Sequence, residues 1–93
     1  MNVYQTRNHR LVLEDGKEIE LTNNEHKFLL GLSSGNIITF EELSTLIYGY
    51  ISKTHVNLFN TMKYSLEKKT GFKIKNIPGR GYLLKDDTAI YYI

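Results

Sequence analysis

Cysteine is absent from the chain, which removes disulfides and cysteine-based zinc sites and points to a reducing compartment, the cytoplasm. Long apolar runs are absent as well. None approaches the roughly 18 residues that a membrane span needs, and no secretory signal precedes the first charged residues. No repeat or low-complexity stretch breaks the pattern. Histidine is scarce: His9, His26 and His55 stand far apart with no ligand-like register, so neither a metal nor another cofactor is expected. No phosphate-binding glycine loop occurs, Ser33-Ser34 reads as a helix-end turn, and Glu41-Glu42 suits the first turn of a helix. An enzyme is not expected. The 93 residues make one domain, 1–93, with a core over about 11–84 and a tail over 85–93.

What is present is polarised charge. Residues 11–52 hold two lysines against seven acids, a net of −5, whereas residues 53–85 hold eight bases against Glu67 alone, a net of +7. One half of the chain is thus suited to anions and the other is not.

The stretch "RLVLEDGKEIEL" reads as two alternating strands joined at Asp15-Gly16, a two-residue hairpin signal. "LTNNEHKFLLGL" opens a first helix, with Thr22 as N-cap and Glu25 completing a capping box, and Gly35-Asn36 ends it. "ITFEELSTLIYGY" repeats the device with Thr39, Glu42 and a stop at Gly49. A third helix is expected from about Thr54 to Thr70, burying a stripe of His55, Leu58, Phe59, Met62 and Leu66, and closed by Gly71. "FKIKNI" and "GYLLK" then form a second hairpin around "PGRG". There Gly79 and Gly81 free the backbone to turn, Pro78 marks the turn entrance, and Arg80 is carried on a flexible tip. The tail residues Ile90, Tyr91, Tyr92 and Ile93 are expected to cover the domain's own sheet, with a dimer strand or the stump of a longer polypeptide as alternatives.

Opposite the stripe, Asn57, Asn60, Thr61, Tyr64 and Lys68 share one face of the third helix, with Lys53 and Thr54 before its first turn and Lys63 on its flank. Asparagine can pair with adenine N6 and N7, threonine can meet a thymine methyl, and lysines can hold phosphates. Any solvated helix face also carries Asn, Thr and Lys, so the face alone does not decide. Three features converge on double-stranded DNA: the short link "YGYISK" between helices, the basic excess on the third helix and last hairpin, and Arg80 at a tip fit for a minor groove.

At these residues the chain resembles the winged-helix DNA-binding domains of OmpR/PhoB-type transcriptional regulators. The matching segments are "LTNNE", the leucines of the first helix, "FEEL", "IYG" and "GRGYLL", spread over about residues 11–84. "NLFNTMKYSL" and "IPGRGYLL" look closer to the ToxR/CadC branch. The resemblance implies an α+β winged helix-turn-helix: an N-terminal antiparallel sheet, three helices and a C-terminal β-hairpin wing. It implies Asn57, Asn60 and Thr61 at base edges, Lys63 where an arginine is usual, and Arg80 at the wing tip; the helix face and the basic excess add Lys53, Thr54, Tyr64, Lys68 and Lys75 to the expected DNA-binding set. Tyr64 and Ser65 depart from a basic pair, which weakens phosphate grip on that turn, and Asn57 replaces an apolar residue. The expected role is sequence-specific DNA binding in bacterial transcription regulation, as a homodimer on repeated half-sites, with a sensor or receiver domain and RNA polymerase as further partners. No receiver domain or membrane span lies within these residues, so a fragment of a longer regulator and a stand-alone small regulator both stay open. The competing reading is a winged helix that docks an acidic protein partner.

Overall fold

A computed structural model describes residues 2–6, 8–50, 56–85 and 89–92. Arg7, the linker residues 51–53, Thr54, His55, Asp86 and Asp87 lie outside them, as does Ile93. The elements are β1 (Asn2–Gln5), β2 (Arg10–Val12), β3 (Glu18–Glu20), α1 (Asn23–Leu32), β4 (Ile38–Thr39), α2 (Phe40–Tyr48), α3 (Val56–Thr70), β5 (Ile74–Ile77), β6 (Gly81–Leu84) and β7 (Ala89–Tyr92).

The Asp15-Gly16 turn joins β2 to β3 as expected, Leu11 pairing with Ile19 and both facing the core. Two further strands extend this sheet to the order β3-β2-β1-β7. The N-terminal sheet is therefore mixed rather than antiparallel, because β7 runs parallel to β1 with Val3 opposite Ile90. The tail joins the sheet as an edge strand and does not lie over it. Alternation sends Val3 and Ile90 inward and leaves Tyr4 and Tyr91 outside, stacked at 5.6 Å.

Both helix starts use their sequence signals. Thr22 accepts from the Glu25 N–H at 3.2 Å and the Glu25 carboxylate accepts from the Thr22 N–H at 2.9 Å, a complete capping box. At α2 the box is half made: Thr39 Oγ1 accepts from the Glu42 N–H, but its hydroxyl donates to the Glu42 carboxylate. Gly49 ends α2 at φ +82, where the left-handed cap needs no side chain. Phe28, Leu29 and Leu32 from α1, Leu43 from α2, and Phe59 and Leu66 from α3 fill the core without exposure. The second sheet has the order β4-β6-β5, so the C-terminal hairpin is bound along one edge by the two residues that precede α2.

A polar knot ties β1 to α1. The buried Gln5 amide donates to the His26 carbonyl at 2.7 Å and reaches His26 Nδ1 at 2.9 Å, while the His9 ring stacks on His26 at 4.3 Å. Facing a donor, Nδ1 must accept, so the His26 imidazole is neutral with its proton on Nε2. Burial first, then the His9 and Lys27 charges, hold its pKa below the ordinary 6.5. The unfolded chain binds that proton more readily, so stability is full above 6.5 and falls as pH drops toward the lower folded value. Thermal unfolding should accordingly show a midpoint that declines from about pH 7.5 to about pH 5.5, and a smaller decline in His26→Leu. Equal declines in the two proteins would remove His26 as the cause.

Candidate nucleic-acid interface

The α3 stripe that reaches the core is Val56, Phe59, Met62 and Leu66, with Phe59 and Leu66 at 0% exposure. Leu58 is not part of it. At one residue before Phe59 it is turned about 100° round the helix and is 51% exposed, so the buried stripe is narrower than the sequence suggests. Asn57, Thr61, Tyr64 and Lys68 are exposed on the outer face, and Leu58 adds an apolar group beside them. The Thr61 hydroxyl donates to the Asn57 carbonyl at 3.0 Å, which commits its hydrogen to the helix itself. Lys53 and Thr54 fall outside the described residues.

Asn60 sits half-buried at the border of this face, where α3 meets the wing formed by β5, β6 and their turn. Its Oδ1 accepts from the Tyr82 hydroxyl and is approached by Asn76 Nδ2 at 3.5 Å. Tyr82 has 0% exposure, packed between Phe28 at 5.3 Å and Phe40 at 5.6 Å between ring centroids. Burial, helped by nearby Tyr64, pushes its phenol up to about 12, so it remains a donor at any ordinary pH.

The bases divide into tied and open ones. Lys63 Nζ lies 3.2 Å from the Glu67 carboxylate and 4.6 Å from the Tyr64 ring centroid, and its side chain is only 13% exposed. Glu67 in turn accepts from the Ile74 N–H at 3.1 Å, so this pair faces the first wing strand. Lys69 is held by Glu25 at 2.7 Å. Lys68, Lys75 and Arg80 are exposed. Strand pairing sets Asn76 opposite Tyr82 and Lys75 opposite Leu83. Alternation therefore puts Lys75 on the wing face away from Asn60.

The wing turn is tighter than a flexible tip. Arg80 N–H donates to the Ile77 carbonyl at 3.0 Å, with Pro78 and Gly79 between them and Gly79 at φ +72, a type II turn. The Arg80 carbonyl accepts from the Phe40 N–H at 2.9 Å, so its backbone is fixed on both sides while its side chain is exposed and makes no ion pair among the described residues. Gly81 has a different reason from Gly79: a Cβ there would stand 1.9 Å from the Ile38 carbonyl oxygen. Sequence reasoning missed Tyr82, Asn76 and Leu58 at this site. Period-two alternation through "KIKN" would have put Asn76 on the same wing face as Ile74.

Among the described residues no three His, Asp or Glu side chains gather as a metal site, and no helix is long and apolar enough to cross a membrane. No protein-family model and no curated protein matches the chain. Solved structures do. The C-terminal domain of the nisin resistance regulator NsrR, a lantibiotic response regulator, is 28% identical, with 91% of this chain and 92% of that one aligned at a TM-score of 0.72. The DNA-binding domain of Klebsiella pneumoniae RstA, solved in complex with the RstA box, is 18% identical over 82% and 90% of the two chains, TM-score 0.64. That of E. coli CadC is 20% identical over 84% and 79%, TM-score 0.61. NsrR superposes better than CadC, so the comparison does not single out the ToxR/CadC branch. In fold the chain is a winged helix, similar to DNA-binding domains of the OmpR/PhoB type.

Proposed function

We propose that the chain binds double-stranded DNA sequence-specifically in transcription regulation, with α3 in the major groove and Arg80 in the adjacent minor groove. The observation that carries this reading is the exposed polar face of Asn57, Thr61, Tyr64 and Lys68 beside an exposed arginine on a fixed turn. Such a face offers donors and acceptors to base edges, and its lysine rim offers phosphate contacts. A narrow minor groove has a negative potential that favours an inserted arginine. The solved relatives are themselves described as DNA-binding domains or as part of a response regulator, and one was captured on its own box sequence. Lys63 contributes from a less exposed position, in competition with Glu67. The same reading includes one domain over the whole chain, action in the cytoplasm and binding as a pair on repeated half-sites. It also includes input from a sensor or receiver domain and output to RNA polymerase.

Binding to a randomised duplex pool at two salt concentrations tests it, with Arg80→Ala in parallel. The wild-type chain should enrich one motif, and its affinity should fall with a log–log salt slope of about −0.9 per phosphate neutralised. Arg80→Ala should bind about tenfold more weakly and lose about one unit of that slope. No binding at either salt would overturn the reading and leave the basic face to an acidic protein partner.

A further inference from the structure

Asn60 presents only half of an asparagine's hydrogen-bonding capacity to its surroundings. Tyr82 is wholly buried, and a buried phenolic hydrogen needs an acceptor. Asn60 Oδ1 is that acceptor, and Asn76 Nδ2 approaches the same oxygen. Turning the amide over would set its NH2 against the phenol and leave the phenolic hydrogen with nothing to meet. With Oδ1 drawn inward, the arm left over is Nδ2, which carries two donors and no acceptor. It makes no hydrogen bond among the described residues and is not buried among them. An asparagine free at both arms recognises adenine by donating to N7 and accepting from N6. Asn60 lacks the accepting half. Asn57, exposed on the same helix, has no such restraint among the described residues.

We infer that Asn60 is a donor-only reader, selecting a base with an acceptor edge in the major groove (guanine O6 and N7 first, thymine O4 second) and disfavouring adenine, with Tyr82 setting that polarity. The inference rests on the reading of α3 as the major-groove element. Guanine offers two acceptors to the NH2 group, whereas adenine offers N7 alone and sets its N6 amino group against the second donor. Tyr82 and Asn76 act as positioning residues that need not touch the DNA.

The full chain, Asn60→Ala, Tyr82→Phe and Asn60→Asp are each run through the same randomised duplex pool. Asn60→Ala identifies the position concerned, because preference is lost there and kept elsewhere. At that position the wild type should favour guanine or thymine over adenine by about tenfold, the scale of one base-edge pair. Tyr82→Phe frees Oδ1, so adenine should rise there to parity or above while other positions hold. Asn60→Asp keeps an acceptor for the phenol and turns a second one outward, so cytosine, with its N4 donor, should take over. That variant retains the buried bond and decides the matter if Tyr82→Phe does not fold. Adenine at this position in the wild type, an unchanged preference in Asn60→Asp, or no position altered by Asn60→Ala would each overturn the donor-only assignment. A wild-type chain that enriches no motif at all would instead overturn the DNA reading beneath it.

Discussion

Gly81→Ala should cost the fold more than about 3 kcal/mol, whereas Gly79→Ala, two residues away on the same wing, should cost about 1–2 kcal/mol. The two glycines of the "GRG" turn look alike and do different things. Gly79 needs its positive φ, but a Cβ there would meet nothing within 4 Å, so an alanine bears only the left-handed strain. At Gly81 the added carbon would lie 1.9 Å from the Ile38 carbonyl oxygen and 2.8 Å from Ile38 C and Thr39 Cα, all of them backbone. Overpacking is tolerable where a side chain can swing away. Here the obstacle is β4 itself, which pairs with β6 through Ile38 opposite Tyr82 and is followed directly by the Phe40 N–H bond to Arg80. Relief requires opening that strand pair. Urea unfolding of both variants gives the comparison directly. Equal midpoint shifts for the two would refute the close approach as the reason for Gly81.

Glu25→Ala should lose about 2–3 kcal/mol near neutral pH, together with part of the protein's sensitivity to acid. The Glu25 carboxylate is buried and takes three donors: the Thr22 N–H at 2.9 Å, Lys69 Nζ at 2.7 Å and the Ser65 hydroxyl at 2.7 Å. It thereby caps α1 and ties that helix to α3, the element whose outer face carries the proposed contacts. Burial pushes its pKa up, but the hydrogen bonds from Lys69, Thr22 and Ser65 and the Lys69 charge together outweigh it, and the net displacement is below 4.5. A carboxylate lowered on folding stabilises fully above its unfolded value, and that contribution is lost as pH falls through 4.5 and the lower folded value. Breaking a buried pair can cost about 3–5 kcal/mol, but Lys69 is 37% exposed and can rehydrate, which brings the loss to that range's lower limit or below it. Denaturant unfolding at about pH 7 and about pH 3 should show a larger gap between wild type and variant at the higher pH. A Glu25→Ala loss of under about 0.5 kcal/mol at pH 7 would show the clamp to be ornamental.

Elements with local signals were legible. Asp15-Gly16, Thr22 with Glu25, Gly49 and Gly71 each act within a few residues, and the structure uses each of them. The winged-helix order was legible too, through the wing hairpin and the three helical periods. What escaped was long-range. A parallel pair such as β1 and β7 has no turn between its strands to announce it, and "NVYQ" and "AIYY" are only four residues each. β4 is shorter still. At the candidate site the third helix's outer face followed from its period. Its border did not: the bond from Tyr82 to Asn60 spans 22 residues and depends on how the hairpin docks. Lys63 illustrates a different limit. Its spacing of four from Glu67 already specifies an ion pair, and attention to charge totals alone passes over it.

The bond from the Phe40 N–H to the Arg80 carbonyl also governs what ordering is left to do when the wing meets a partner. Together with the Ile77–Arg80 turn bond, it removes the arginine's backbone from the set of things that binding must immobilise. Fixing one backbone residue costs about 1–2 kcal/mol in entropy, and here folding has already met that cost. Only the side-chain rotamers remain to be frozen, at about 1–1.5 kcal/mol. A short turn anchored to the first residue of a helix is in this sense a preorganised probe, in which the loss of freedom is charged to the fold and not to the encounter.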